Sequence, residues 1–377
     1  DDLNSLPTPA YHLFPYKIEA PVSIDTGRGC PYNCSFCSTS TFWKRNFRTK
    51  SINRILHEIQ ELKSNYQVDS FSFMHDLFTA NKQWLIQFCQ ELDNLKLNIK
   101  WTCSARIDCV DVQLLQLMAK VGCQAIFYGI ETGSQRMQKS IGKNLKLENV
   151  VNIVDATLDA KMGATLSFIA GFPTEGKVDL RATMDLIQKL LRKDINIQLH
   201  LLAPQVGTSE YANNFIKLGF DDYYSDIAGT TSELLEPEWF KNYPKLFASY
   251  YYFNNENIPR DFLKGLDLFI QGPVAVMRGT VLNLLGSEGN LYNLYRDWRK
   301  WTKTKGLDKN WKNERSVEKL LLDFYDFTAD QVAKENALFD TGKSRDEILA
   351  FYLRQYNKTP VHYVTINDKE NKEHSNG

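Results

Sequence analysis

Three cysteines, Cys30, Cys34 and Cys37, stand in the run GRGCPYNCSFC at the spacing C-x3-C-x2-C, with Phe36 directly before the last of them. Thiolates on so short a loop can ligate three irons of a cubane iron-sulfur cluster and leave the fourth iron open to the amine and carboxylate of a small molecule. An open iron is a catalytic device. A structural zinc site is the rival, but it needs a fourth ligand, usually from a second C-x2-C pair or a His-x3-His, and neither follows at the right distance. A purely electron-transferring cluster would normally take a fourth cysteine. Cys89, Cys103, Cys109 and Cys123 show no cluster spacing among themselves and read as small buried hydrophobes.

The remaining composition bounds the answer. Seven cysteines, all at or before Cys123, suit a reducing compartment better than a disulfide framework, and they leave no thiols for an auxiliary cluster further on. The 45 basic residues balance 45 acidic ones, so no global field draws the chain to nucleic acid or to an anionic membrane. No apolar run approaches the roughly 20 residues of a membrane span, and DDLNSLPTPAYHLF lacks the regions of a signal peptide. A cytoplasmic protein with no membrane or nucleic-acid partner is expected.

The elements that must position the cysteines follow from periodicity. β-like runs at Ser23 to Thr26, Ser70 to Met74, Ile99 to Ser104, Ala125 to Ile130, Thr165 to Ala170 and Ile197 to Leu202 alternate with amphipathic helical stretches. Ile52, Ile55, Leu56, Ile59 and Leu62 follow a Ser51 N-cap; Val112, Leu115, Met118 and Ala119 follow Asp111 and stop at Gly122. Further stripes run from Leu147 to Leu158 and, after Asp179, from Leu180 to Leu191. Right-handed crossovers curl six such units into a partial (β/α)6 barrel, an α/β fold whose ligands gather beyond the strand C-termini. The expected organisation is a linker over 1–20, the core over 21–210, a mostly helical C-terminal substrate or lid domain over 211–363 and a disordered tail over 364–377.

The cysteine spacing after a first strand, opening six strand-helix units, resembles the radical S-adenosylmethionine (SAM) superfamily over roughly residues 21 to 210. The resemblance implies that Cys30, Cys34 and Cys37 hold a 4Fe-4S cluster, that SAM binds its open iron, and that the backbone around Phe36 touches the adenine. Where members often carry Gly-Gly-Glu after the second strand, this chain has Met74, His75 and Asp76. Asp76 is expected to accept the SAM ammonium, or else to cap the loop ahead of a helix at Lys82. Ser104 and Arg106 fall near the rim in WTCSARID; Arg106 suits the SAM carboxylate bidentately or makes a surface ion pair. Glu131, in YGIETGS, resembles the strand-end glutamate that meets SAM, with Gly129 and Gly133 allowing close backbone approach. Ser167 and Ile169 in TLSFIAGF stand at the family's Gly-x-Ile-x-Gly motif, Ile169 packing on adenine, and the backbone near Leu202 and Ala203 completes that site. Alternation puts Gln198 and His200 on one strand face. His200 is the candidate for substrate contact or proton transfer, a hydrogen-bonded core histidine being the alternative.

The phrases LNSLPTPAYHLFPY, CSTSTFWKRNFRTKS, FMHDLFTAN and GIETGSQRMQKSIGKN resemble the branch that usually carries a cobalamin-binding domain ahead of the core, including many cobalamin-dependent methyltransferases. Such a domain does not fit before Pro21, so cobalamin is expected only if a missing upstream domain supplies it. The resemblance implies reductive cleavage of SAM and modification of a small metabolite at an inert centre, by methylation or SAM-derived carbon transfer, with an electron donor such as flavodoxin or ferredoxin. A maturase or epimerase acting on a ribosomally made peptide is the alternative, and a non-catalytic iron-sulfur or SAM-binding protein a further one. The aromatic C-terminal helices are expected to close the barrel mouth, or to serve as core packing.

Overall fold

The structure is a computed structural model and describes residues 2–13, 21–221, 223, 225, 237–307, 317–335 and 346–347. The expected tail at 364–377 and the 14–20 stretch of the expected linker lie outside them. In chain order the first part comprises β1 (Val22–Asp25), β2 (Gly27–Arg28), α1 (Ser38–Phe42), β3 (Arg48–Thr49), α2 (Ile52–Tyr66), β4 (Ser70–Met74), α3 (Lys82–Leu95), β5 (Lys100–Ala105), α4 (Val112–Lys120), β6 (Cys123–Glu131), α5 (Gln135–Ser140), α6 (Val150–Asp159), β7 (Gly163–Ala170), α7 (Lys177–Leu190) and β8 (Asn196–Leu201). Six of the strands form one sheet in the order β1-β4-β5-β6-β7-β8. The pairs β1/β4, β4/β5 and β5/β6 are parallel, as strand-helix-strand crossovers require.

Local chemistry explains the helix starts. Ser51 Oγ accepts from Arg54 N at 3.3 Å, Asn81 Oδ1 from Trp84 N at 3.1 Å and Asp111 Oδ1 from Leu114 N at 2.9 Å, each satisfying an amide left over by the first turn. Asn81 therefore caps the helix that begins at Lys82, and Asp76 does not. Asp179 does not precede its helix either: α7 begins at Lys177, and Asp179 reaches back from the first turn to accept from Gly176 N at 2.9 Å. A carboxylate there meets free N–H groups and the positive end of the helix dipole.

By compactness the chain divides into Asp1–Ile130 with Lys139–Leu166, and Glu131–Gln138 with Ser167–Gly377. The boundary expected at 210 coincides with no such division, because β8 and the helices after it share the second unit. In the first unit the α2 stripe Ile52, Ile55, Leu56, Ile59 and Leu62 is buried throughout, at about 1.5–3 kcal/mol for each large aliphatic side chain. Phe73, Phe78, Phe88 and Trp101 make an aromatic cluster, with ring centroids 5.1 Å apart for Phe73 and Trp101, and Trp101 Nε1 donates to Val121 O at 2.9 Å.

The second unit continues with α8 (Ser209–Asn214), β9 (Leu218–Gly219), α9 (Pro237–Asn242), β10 (Tyr252–Phe253), α10 (Arg260–Phe269), α11 (Arg278–Leu285), α12 (Leu291–Thr304) and α13 (Val317–Glu335). Phe269, Tyr295, Trp298 and Phe324 are fully buried against one another. These four aromatics are core. A π-turn at Ile270–Val274, containing Pro273, follows α10; Pro lacks the N–H that would continue the helix ladder. No single helix among the described residues is long and apolar enough to cross a membrane, and the one pair that passes by length and composition, Arg260–Val274 with Arg278–Leu285, is bent by 106°.

Candidate functional site

The cysteine loop is held at its ends, along its length and from beneath. Its ends are joined by a two-residue antiparallel ladder, Gly27 opposite Thr49 and Arg28 opposite Arg48, and Lys50 N donates to Thr26 O at 2.9 Å. Gly29 has φ +94°, and a Cβ there would lie 1.8 Å from Asn46 O, so only glycine fits where the chain turns into the loop. Its N–H donates to Asp76 Oδ2 at 2.6 Å, and Thr39 Oγ1 donates to Asp76 Oδ1 at 3.2 Å. Further along, Ser35 N donates to Ile141 O at 2.9 Å. Gly142, at φ +67°, comes so close to the loop that a Cβ would lie 2.9 Å from Asn33 O.

Beneath the loop lies Arg106, only 6% exposed. Its Nε and Nη2 donate to the two oxygens of Asp108 at 3.0 and 2.9 Å, and Nη2 also donates to Lys143 O at 2.8 Å. Nη1 points at Cys34 Sγ, 3.9 Å away, and the guanidinium carbon stands 3.7 Å from the centre of the Tyr32 ring. The Tyr32 hydroxyl meets Cys109 Sγ at 3.2 Å.

These contacts bear on two expectations. The bidentate fork of Arg106, expected to take a carboxylate of SAM or a surface partner, is occupied by Asp108 and buried. The Asp76 carboxylate, expected to receive an ammonium, uses both oxygens on the cysteine loop. Cys109, read as a buried hydrophobe, is half-buried and touches the loop through Tyr32; Cys89, Cys103 and Cys123 are buried as expected.

The loop suits three-point ligation of a cluster. Cys30, Cys34 and Cys37 are each partly accessible. Burial pushes the Cys30 thiol above its ordinary range and the nearby Cys37 adds to this, while the Tyr32 N–H and Arg106 pull it down. Among the described residues no three His, Cys, Asp or Glu side chains close around one point as a single ion would need.

The sheet beside the loop has two unlike faces. Val22, Ile24, Phe71, Phe73, Trp101, Cys103, Ala105, Tyr128 and Ile130 are buried, and Tyr128 Oη bonds Thr157 of α6, which marks that face as the helix side. Alternation sends Ser23, Asp25, Ser72, Met74, Thr102, Ser104, Phe127 and Gly129 the other way, and none of these is buried. Ser23 stands in register with Ser72, Ser72 with Thr102, and Ser104 with Phe127. Ser23, Ser72 and Thr102 thus form an accessible row of small hydroxyls, and Ser104 lies on the same face one step further along, opposite Phe127.

Other expected site residues belong to the second unit. Glu131 ends β6 in the left-handed region at φ +67° and is 7% exposed. A non-glycine there costs roughly 1–2 kcal/mol, the kind of strain that collects at functional positions. Gly133 serves a different need from the one expected, since a Cβ would lie 2.5 Å from Ala182 O, against α7. Ser134 Oγ donates to Asp179 Oδ1 at 2.6 Å, and Arg136 Nε to the same oxygen at 3.0 Å, so this turn is locked to α7. Ser167 and Ile169 share one face of β7, both 5% exposed. Leu202 is buried, and its N–H donates to Ala170 O at 2.9 Å; His200 is half-buried. Phe36, in the first unit, is also half-buried.

The family model of the radical SAM superfamily matches residues 24–187. That stretch of the chain is a radical SAM domain. It covers all three loop cysteines, Asp76, Arg106, Glu131 and β7. Over 225 residues the chain is 32% identical to an uncharacterized methyltransferase of Pyrococcus horikoshii, a match covering 57% of this chain and 48% of that one. Over 242 residues it is 26% identical to the cytidylyl-2-hydroxyethylphosphonate methyltransferase of Streptomyces wedmorensis, covering 59% and 45%. The chain spans about half the length of these curated relatives. The solved structure of the cobalamin-dependent S-adenosylmethionine radical enzyme OxsB with aqua-cobalamin bound superposes with a TM-score of 0.53 at 12% identity, covering 89% of this chain and 58% of that chain. That likeness is one of fold. It extends past the radical SAM domain into the helices that follow.

Proposed function

We propose that the chain is the catalytic part of a radical SAM enzyme, in which Cys30, Cys34 and Cys37 hold a 4Fe-4S cluster and SAM is cleaved reductively to modify a small molecule at an inert centre. The observation that carries this reading is the thiol loop itself: three partly accessible cysteines on a segment tied at both ends and braced by Asp76 and Arg106. When bound, the cluster would supply the low-potential electron that opens the sulfonium of SAM. The chain's own residues bind and orient. Asp76 and Arg106 keep the ligating loop in shape. Ser23, Ser72, Thr102 and Ser104 offer hydroxyls that can donate or accept toward the polar parts of SAM or substrate. Glu131, Ser167, Ile169, the Leu202 backbone and the backbone near Phe36 are assigned to SAM, and His200 to the substrate.

Methylation is the favoured reaction class, since methyltransferases recur among the named relatives. The electron would enter through a donor of the flavodoxin or ferredoxin kind. Anaerobic cluster reconstitution followed by reduction in the presence of SAM tests the proposal. The wild type should yield 5′-deoxyadenosine or a methylated product together with S-adenosylhomocysteine, and Cys34→Ala should yield neither. A fully loaded protein that leaves SAM intact would overturn it. Adding methylcobalamin tests the methyl-transfer branch separately, which fails if neither binding nor a change in products follows.

A further inference from the structure

We infer that Arg106 is a positioning residue that sets the reduction potential of the cluster through the Cys34 sulfur. The inference rests on the cluster reading above. Nη1 lies 3.9 Å from Cys34 Sγ, at the outer edge of an N–H···S contact, so the interaction is mainly that of a fixed positive charge with a thiolate. Reduction adds one negative charge to a cluster whose potential depends on net charge, solvent exposure and hydrogen bonds to its sulfurs. A buried cation against one of those sulfurs favours the reduced form.

Three features make Arg106 a fixed charge rather than a mobile one. Asp108 holds the Nε–Nη2 edge of the guanidinium and the Lys143 carbonyl takes a further N–H of Nη2, which turns Nη1 toward the loop. The Tyr32 ring, between the first two cysteines in sequence, covers one face of the guanidinium at 3.7 Å. Tyr32 is itself tethered by its hydroxyl to Cys109 Sγ. Asp108 lowers the net charge of the pair, but it is more exposed than Arg106, with side-chain accessibilities of 38% and 7%. Water therefore screens the carboxylate more than the guanidinium, and the field at Cys34 stays positive.

The test is a redox titration of the reconstituted cluster, followed by its electron paramagnetic resonance signal, in wild type, R106Q and R106K. With four irons bound in each, R106Q should show at least a tenfold smaller ratio of reduced to oxidised cluster at a fixed potential, equivalent to a midpoint about 59 mV lower for one electron. R106K keeps the charge and loses the fork, so its midpoint should fall between the other two. Equal midpoints in loaded wild type and R106Q would overturn the inference and leave the proposed function standing. A wild-type chain that binds no cluster would sink the proposed function instead. Should R106Q bind no iron, the likewise uncharged R106M decides by the same titration: a lowered midpoint supports the inference and an unchanged one overturns it.

Discussion

The Asp76 carboxylate accepts the backbone N–H of Gly29 at 2.6 Å, across 47 residues of sequence. The bond joins the C-terminal end of β4 to the point where the cysteine loop begins, and Thr39 adds a second strut to the same carboxylate. Asp76→Asn keeps the shape and removes the charge that shortens and strengthens the bond. A loss of about 1 kcal/mol in stability, measured by urea unfolding of the apo protein, is expected. Iron bound after reconstitution should fall more than the secondary structure seen by circular dichroism.

Gly29→Ala should be more severe, because φ +94° excludes an ordinary side chain and the added methyl collides with Asn46 O. The loop must shift away from Asn46, so iron content after reconstitution should drop several-fold. Gly286→Ala is the control. That glycine also has positive φ, but nothing lies within 4 Å of the added Cβ, and iron content should stay at the wild-type level.

Lys50 and Glu58 are a buried pair in the first unit, 3.6 Å apart, with Tyr11 donating to the other oxygen of the glutamate. Removing one member strands the other charge. Lys50→Met should therefore cost about 3–5 kcal/mol, whereas the double change Lys50→Met with Glu58→Leu should recover much of that loss. Denaturant midpoints of the two variants check the difference.

Two buried groups give opposite pH slopes. Burial pushes the His75 imidazole down to about 4 from 6.5, with Asp76 and Asp25 pulling it partly back. The unfolded chain takes up that proton near 6.5 and the folded one only near 4, so His75 costs stability as pH falls through this window. Burial pushes the Glu175 carboxyl up to about 8 from 4.5, partly offset by the N–H of Gly171. The folded chain keeps that proton up to about pH 8, so stability is lost as pH rises from 4.5 through 8. Each slope is at most about 1.4 kcal/mol per pH unit. His75→Asn should flatten the acid side and Glu175→Gln the neutral side, as read by unfolding free energies at pH 4.5, 6.5 and 8.

The sheet was legible because its signals are local. The alternations in VSID, SFSFM and KWTCSA read directly as one buried and one accessible face, and the Ser51 and Asp111 caps stand beside the helices they start. The braces of the loop were not legible. Gly29 meets Asp76 47 residues away and Cys34 meets Arg106 72 residues away, separations at which no periodicity speaks. The ladder between Gly27–Arg28 and Arg48–Thr49 is two residues long, too short to carry a pattern. One local clue existed. Asp108, two residues after Arg106, is spaced to take the guanidinium, the ion-pair alternative to a SAM carboxylate.

The same short ladder bears on how readily the apo protein can accept iron. Ordering a residue costs about 1–2 kcal/mol of backbone entropy, so a floppy segment spanning Gly29 to Cys37 would set a penalty of roughly ten kcal/mol or more against every loading event. With its ends paired and its middle pinned, that penalty falls on folding instead. Metal affinity then depends on thiol deprotonation and bond formation, and cluster occupancy should survive changes in substrate-binding segments that leave β2 and β3 paired.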